Sequence, residues 1–151
     1  MSADRDHAGY QHGGHGDDYS YAVKKSTLSE REDEIMGRVI GSAIAVHKTL
    51  GAGFLESIYQ KAMAVELRAR GLAFESQRPV RVIYRDVEIP GQRIDLIVER
   101  LVVVELKCVK RFDEVHLAQV LSYLRTTGLR AGLLINFRVS LLKRGIRRVV
   151  L

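Results

Sequence analysis

The chain has 151 residues, of which 46% are hydrophobic and 28% are charged, and this composition is typical of one globular domain with a sizeable core. No apolar run approaches the roughly 20 residues that span a bilayer, and the polar start lacks the basic and then apolar pattern of a signal peptide, so we expect a cytoplasmic protein without a membrane segment. The single cysteine, Cys108, excludes an internal disulfide and is expected to be a structural thiol, while the net charge of +6 is compatible with a polyanionic partner.

The N-terminal region differs in composition from the rest of the chain. Residues 1–28 are rich in Gly, His, Asp, Ser and Tyr and hold few aliphatic side chains, so they can bury too little surface to offset the entropy of ordering. A disordered polar tail is predicted there, followed by a single domain over residues 29–151. Ser29 and Glu32 fit a capping box, which predicts a helix from Ser29 to about Leu50.

A second helix is predicted after the glycine-rich break that follows the first. It begins near Phe54 and ends around Arg70, with Gly71 as its C-terminal cap. Much of its apolar surface is expected to come from Leu55, Ile58, Ala62, Val65 and Leu67. Glu56, Tyr59 and Met63 share a face by their three- and four-residue spacing. The helix dipole accounts for a carboxylate in the first turn, and partial burial with the hydroxyl at the rim accounts for Tyr59.

Strand-like segments follow the second helix. Their β-branched residues alternate with turn residues and predict a meander of antiparallel strands over residues 73–77, 80–84, 87–89, 93–99 and 101–107. The last two strands are expected to pair as a hairpin around Glu99 and Arg100.

The predicted hairpin of residues 93–107 carries Asp95, Glu105 and Lys107 among the apolar residues of its two strands. Because a strand alternates its side chains between two faces, Glu105 and Lys107 lie on the same face, and Asp95 of the preceding strand can reach the same place. Charged groups buried beside Val103 lose hydration, which is unfavourable unless other groups interact with them. Two interpretations are open at this point: a structural salt bridge between neighbouring strands, and a functional site.

A third helix is predicted from Asp113, a suitable N-cap, to about Thr127, with Gly128 ending it. Its buried stripe is expected to consist of Leu117, Val120, Leu121 and Leu124. Another side of this helix carries His116, Gln119 and Tyr123.

Two further strands complete the predicted domain. The apolar segment A-G-L-L-I-N-F at residues 131–137 is typical of a strand that is covered on both faces and pairs in parallel after a helical crossover. Residues 146–151 predict an edge strand. The order helix, helix, strands, helix, strand, strand predicts an α/β protein with a central mixed β-sheet flanked by α-helices.

Basic residues dominate the C-terminal part of the chain. Against only Asp113 and Glu114, the segment that starts at residue 107 contains Lys107, Lys110, Arg111, Arg125, Arg130, Arg138, Lys143, Arg144, Arg147 and Arg148. A basic face raises the local concentration of a polyanion such as nucleic acid. The alternative is that these side chains simply solvate the surface.

Several motifs, in order along the chain, resemble the GxxExxY protein family. The segment G-F-L-E-S-I-Y matches the signature after which that family is named. The further matching segments are R-I-D-L at 93–96, E-L-K at 105–107, H-L-A-Q-V-L-S-Y at 116–123 and G-L-L-I-N-F at 132–137. Asp95 with the later Glu-x-Lys is similar to the active-site pattern of the PD-(D/E)XK nuclease superfamily, with Ile94 where the name has Pro. From about Glu34 onward, the resemblance implies a restriction-endonuclease-like core.

The resemblance also implies a metal site. Asp95 and Glu105 would bind a divalent cation, Mg²⁺ or Mn²⁺, because hard oxygen ligands suit these ions. Glu56 and the backbone carbonyl of Leu106 would be further ligands. Lys107 would orient the attacking water or stabilise the developing negative charge.

Other residues receive roles from the same resemblance. Gln119 corresponds to the polar residue that superfamily members often carry near the attacking side of the site. Substrate contacts or supporting roles are implied for Tyr59, Tyr123, His116, Lys110 and Arg111. For the two tyrosines and the histidine, packing in the core or at the rim is the alternative.

The leading functional hypothesis is a metal-dependent nuclease that hydrolyses phosphodiester bonds of DNA, or less readily RNA, through a metal-activated water. Nucleic acid is then the expected partner, and a homodimer is considered because many nucleases of this fold pair to cut two strands. One alternative is a non-catalytic nucleic-acid or protein-binding module that retains the fold. A third interpretation treats the charges as a structural network in a dimerising scaffold.

Overall fold

The computed structural model describes residues 27–151, so the predicted disordered tail lies, over residues 1–26, outside the described residues. The helices are α1 (Glu30–Leu50), α2 (Glu56–Ala69), α3 (Glu114–Thr127) and a short 3-10 helix at Leu142–Gly145. The strands are β1 (Phe74–Pro79), β2 (Val82–Tyr84), β3 (Val87–Ile89), β4 (Arg93–Val98), β5 (Val102–Lys107), β6 (Ala131–Asn136) and β7 (Ile146–Val150).

Side-chain caps define where two of the helices begin. At α1 the Ser29 hydroxyl accepts a 3.1 Å hydrogen bond from the Glu32 amide, and the Glu32 carboxylate accepts a 2.7 Å bond from the Ser29 amide, as the capping box predicts. At α3 the amide of Asp113 donates to Nδ1 of His116 over 2.9 Å. The left-handed Gly128 ends α3. The predicted bounds of both helices are confirmed.

The central sheet is mixed, as predicted. Its strand order is β1-β4-β5-β6-β7, and only β5 and β6 run parallel, joined by the α3 crossover. The strand at residues 131–137 is buried along its length, and β7 lies at the sheet edge. The fold is therefore an α/β core with a mixed sheet between helices, consistent with a restriction-endonuclease-like arrangement.

The two faces of the sheet have separate cores. One core joins α1 and α2 to residues such as Leu96, Val104 and Leu133, and the other joins α3 to residues such as Ile97 and Val103. Gly132 allows α3 to pack closely on β6, because a Cβ there would lie 2.8 Å from a Val120 methyl group. None of the helices formed by residues 27–151 combines the length and the apolar character needed to cross a membrane.

The predicted continuous meander is wrong. β2 and β3 leave the main sheet and form a hairpin of their own, while β1 pairs directly with β4. The residues of β2 and β3 are exposed, so no core contact holds them in the main sheet.

The predicted apolar surface of α2 is also largely wrong. Leu55 and Val65 are 75% and 65% exposed, whereas Tyr59, Met63 and Leu67 are fully buried. Helical spacing identifies a stripe of side chains but does not say which stripe meets the sheet. The helix begins at Glu56 rather than Phe54, and Arg70 rather than Gly71 is its C-terminal cap.

Candidate active site

The β4–β5 hairpin brings the predicted acidic residues together. Glu99 and Arg100 form its turn with φ values of 52° and 56°, and Leu96 pairs with Val104. This register places Asp95 opposite Glu105 on the same face of the sheet. Their exposed fractions are only 8% and 3%.

Short hydrogen bonds connect the two carboxylates across the hairpin. The amide of Asp95 donates to Oε1 of Glu105 over 3.0 Å, and the amide of Leu106 donates to Oδ2 of Asp95 over 2.9 Å. Nζ of Lys107 lies 3.6 Å from Oε2 of Glu105. The three charges thus form one cluster, and each carboxylate is oriented by a backbone amide of the opposite strand.

Two glutamines complete this cluster, and the sequence analysis missed both. The side-chain amides of Gln60 and Gln77 donate to the same oxygen, Oδ1 of Asp95, over 3.1 and 3.3 Å. Gln77 has a φ of 54° within β1, a conformation that side chains other than glycine rarely adopt. A polar residue in a short exposed strand carries no distinctive sequence signal, so only the sheet register identifies Gln77.

The carboxyl groups of the cluster have pKa values above their ordinary values. Burial, followed by repulsion from Asp95, raises the pKa of Glu105 to about 8. Burial also raises the pKa of Asp95, although the Leu106 amide and the charge of Lys107 oppose this. The pKa of Glu56 is raised by burial and by the charge of Asp95. A group of carboxylates with raised pKa values in a partly open site is typical of a functional centre.

The donor atoms of Asp95 and Glu105 fit a hard divalent cation. A bound cation would relieve the repulsion between the two carboxylates, which the ammonium of Lys107 offsets only in part. Within the described residues 27–151, no group of three or more His, Cys, Asp or Glu side chains is placed to hold a metal ion. Asp95 and Glu105, opposite each other on paired strands, form the centre of the donor set, and Glu56, whose pKa the charge of Asp95 helps to raise, lies beside it. Mg²⁺ commonly takes one or two carboxylates and completes its shell with water or substrate oxygens.

The G-F-L-E-S-I-Y segment positions Glu56. Gly53 has a φ of 117°, which favours glycine, and the Tyr59 hydroxyl donates to the carbonyl of Gly51 while accepting a bond from the Phe54 amide. Tyr59 is fully buried and stacks on Phe137 with ring centres 4.4 Å apart. Tyr59 therefore packs in the core and orders this loop, and the substrate contact considered for it is not supported.

A cavity of about 400 Å³ opens beside Glu56 and is also lined by Cys108 and Arg138. Burial and the negative charge of Glu56 raise the pKa of the Cys108 thiol, which disfavours a thiolate nucleophile. Arg138 is exposed and forms no ion pair with a described residue, so its guanidinium is available to an anion in this cavity.

Residues of α3 form a second group of predicted site residues. The Tyr123 hydroxyl accepts bonds from the amides of Gln119 and Gln92, over 2.9 and 3.1 Å, and donates to the carbonyl of Arg93 over 3.1 Å. Burial raises the pKa of Tyr123, and the charges of Glu105 and Asp95 add to this effect. Gln119 and Tyr123 thus lie beside the carboxylate cluster.

The remaining predicted contacts are not part of this hydrogen-bond network. His116 uses Nδ1 in the cap of α3 and packs edge-on against Phe112, so the structure gives it a local role. Lys110 and Arg111 are exposed in the loop after β5. The Arg147 guanidinium lies 5.7 Å from the centre of the Phe112 ring, which extends this basic surface toward β7.

A comparison with protein families agrees with this geometry. The family model described as the PD-(D/E)XK nuclease superfamily matches residues 33–149, a span that includes Asp95, Glu105 and Lys107. Comparisons with curated proteins and with solved structures found no match. The matched span covers most of the chain and contains the carboxylate pair opposite each other on paired strands. The chain therefore belongs to the PD-(D/E)XK nuclease superfamily.

Proposed function

We propose that this protein is a metal-dependent nuclease that hydrolyses phosphodiester bonds, with DNA preferred over RNA. The observation that carries the proposal is the buried pair of Asp95 and Glu105, which lie opposite each other on paired strands and whose pKa values are raised first by burial. Superfamily membership supports the same chemistry, since PD-(D/E)XK nucleases generally use divalent metals such as Mg²⁺.

Each residue of the site would have a distinct role in the proposed hydrolysis. Asp95 and Glu105 would hold Mg²⁺ or Mn²⁺ through carboxylate oxygens, and Glu56 and the Leu106 carbonyl are proposed as additional donors. The bound ion would supply positive charge to the scissile phosphate and lower the pKa of a coordinated water. The Lys107 ammonium would stabilise negative charge that develops on the phosphate oxygens. Gln119 of α3 would orient reacting groups near the attacking side of the site.

We further propose that the chain belongs to the GxxExxY group within the superfamily. Each residue of the signature has a distinct structural task here. Gly53 permits the positive φ, Glu56 points toward the carboxylate cluster, and Tyr59 ties the loop to the core. The signature thereby places an acidic side chain at the start of α2.

Calorimetry tests the metal site directly. We expect Mn²⁺ and Mg²⁺ to bind the wild type and to lose measurable affinity for Asp95→Asn and Glu105→Gln, which remove charge with little change in shape. Glu66→Gln is the matched control because Glu66 pairs with Arg70 on the surface of α2. Incubation of the same four proteins with linear, circular and single-stranded DNA and with structured RNA should show metal-dependent cleavage by the wild type and the control only.

A non-catalytic binding module is the second candidate. It is favoured by the fact that Asp95, Glu105 and Glu56 do not form a three-residue metal group within residues 27–151. If the wild type bound nucleic acid in a salt-sensitive manner but neither took up metal nor cut any substrate, the nuclease proposal would be wrong and this module would replace it.

A further inference from the structure

A second cavity, of about 590 Å³, lies where the β2–β3 hairpin faces α3. Its volume falls within the roughly 300–1,000 Å³ that ligand sites commonly have. Its lining combines two groups of side chains. Val82 and Ile89, which pair in the hairpin, and Pro90 are apolar, whereas Gln92, Gln119 and Tyr123 are polar and hydrogen-bonded to one another.

The hairpin presents one apolar face. Val82 pairs with Ile89 and Tyr84 pairs with Val87, so these four side chains share a face, while Ile83 and its partner Glu88 lie on the other. Each of the four is substantially exposed, and two of them line the cavity. This apolar face contributes to neither core of the domain. Its side chains at the cavity are therefore available to contact a ligand.

The polar lining residues of the cavity offer hydrogen-bonding groups. The Tyr123 hydroxyl already donates one bond and accepts two, so it is fully used. The side-chain amides of Gln92 and Gln119 each donate one N–H to this hydroxyl, and within residues 27–151 their side-chain oxygens have no hydrogen-bond partner. Two glutamine amides therefore remain able to donate and accept toward the cavity.

This combination matches a nucleobase, which has flat apolar faces and an edge of donors and acceptors. We propose that the cavity binds an unpaired base of a nucleic-acid strand, with the base between the hairpin face and the amides of Gln92 and Gln119. The inference rests on the proposed function, because the Tyr123 hydroxyl on the cavity wall donates to the carbonyl of Arg93, two residues before the proposed metal ligand Asp95. Arg93 also lines the cavity. Its guanidinium would supply positive charge to the sugar-phosphate backbone of the bound strand.

The base in this site must be unpaired. In a duplex, neighbouring bases cover both faces of a base and its partner uses the pairing edge, so the base cannot enter a walled cavity until it is turned out or single-stranded. Stacking on apolar and aromatic side chains tolerates any base, while the amides favour particular edges. The substrate class is accordingly single-stranded nucleic acid, or the unpaired end of a duplex.

A matched pair of substitutions tests the site. Val82→Asp and Ile83→Asp place the same charge on adjacent residues of β2, but only the first alters the cavity wall. Binding is measured by fluorescence anisotropy with a labelled single-stranded DNA, in EDTA so that it is not cut, and with versions of that strand carrying one abasic position each. Circular dichroism of both variants controls for folding.

We expect one abasic position to weaken wild-type binding by roughly tenfold, as loss of one stacked base does. Ile83→Asp should behave like the wild type. Val82→Asp should bind the intact strand roughly tenfold more weakly and should no longer respond to that abasic position, because the interaction is already lost. Equal losses in both variants, or no abasic position that matters, would overturn the base site.

These outcomes are independent of the nuclease test. If the abasic and Val82 effects occurred but no metal bound and no cleavage was seen, the base site would stand in a non-catalytic module. If the wild type cut DNA and neither effect occurred, the nuclease would stand and the base site would be wrong.

Discussion

The side-chain amide of Gln77 donates to Oδ1 of Asp95 over 3.3 Å from a backbone position whose φ is 54°. The flanking residues of β1 pair with Leu96 and Ile94, so Gln77 faces Asp95 directly across the sheet. A left-handed conformation costs a residue with a Cβ roughly 1–2 kcal/mol. Such strain is typical of functional sites, where the surroundings maintain it, and here it directs an amide at a candidate metal ligand.

Two substitutions at Gln77 separate the backbone from the amide. Gln77→Gly relieves the strain and Gln77→Ala does not, so urea denaturation should find the glycine variant more stable than the alanine variant by about 1 kcal/mol. Both variants lose the amide, and calorimetry should show Mn²⁺ affinity lowered about tenfold in each, as for other groups that orient metal ligands. Unchanged metal affinity in both would assign Gln77 a purely structural role.

The raised pKa of Glu105 predicts how stability depends on pH. In the folded protein this carboxyl has a pKa of about 8, above its ordinary value of 4.5. Between these values the folded state holds a proton that the unfolded state has released, so the free energy of unfolding should fall as pH rises from about 4.5 to 8.

Denaturation in EDTA across this pH range checks the prediction, with EDTA present so that the protein is metal-free. Glu105→Gln cannot lose a proton, so its stability should vary less with pH and should exceed that of the wild type at high pH. A wild-type stability that rises steadily from pH 5 to 8 would contradict the assignment of the raised pKa.

Lys107 should contribute to the chemistry more than to metal binding. Its ammonium lies 3.6 Å from Oε2 of Glu105, where it opposes rather than assists a bound cation. We expect Lys107→Met to lower the rate of DNA hydrolysis by about 10²–10³, comparable to the loss of one charge-stabilising donor. Calorimetry above pH 8 should find Mg²⁺ affinity undiminished. Lys143→Met, on the exposed 3-10 helix, is the control, and loss of metal binding in the Lys107 variant would argue for a structural ion pair.

The turn of the β4–β5 hairpin should tolerate a stabilising change. Arg100 is exposed and has a φ of 56°, which glycine adopts without strain. Arg100→Gly should raise the free energy of unfolding by about 1 kcal/mol. Glu99 is less suitable because its carboxylate accepts a bond from the Ala73 amide. Chemical denaturation measures the change, and a destabilised Arg100→Gly would show that its side chain contributes more than the turn conformation costs.

The part of the site that two neighbouring strands form could be predicted from the sequence. Alternation places Glu105 and Lys107 on one face, and a hairpin turn at Glu99 and Arg100 brings Asp95 opposite them, so a local rule is enough to assemble the three charges. The capping box at Ser29 and the glycine after Thr127 defined helix ends for the same reason.

Local rules failed where a choice depended on distant partners. The apolar residues of α2 form more than one stripe, and the tertiary packing selected the stripe with Tyr59 and Met63. The sequence predicted five strands between the second and third helices but could not show that β2 and β3 would pair only with each other.

The amino-acid sequence by itself determined the ends of α1 and α3 and the charged hairpin, because each depends on interactions between residues close in the chain, and the order of the predicted elements indicated the mixed α/β class. The tertiary structure alone decided that Gln60 and Gln77 converge on Asp95 and that Gln92 meets Tyr123, since these residues come from separate elements. Their side chains have no periodicity or motif of their own, and only the register of β1 against β4 and the packing of α2 and α3 bring them to the site.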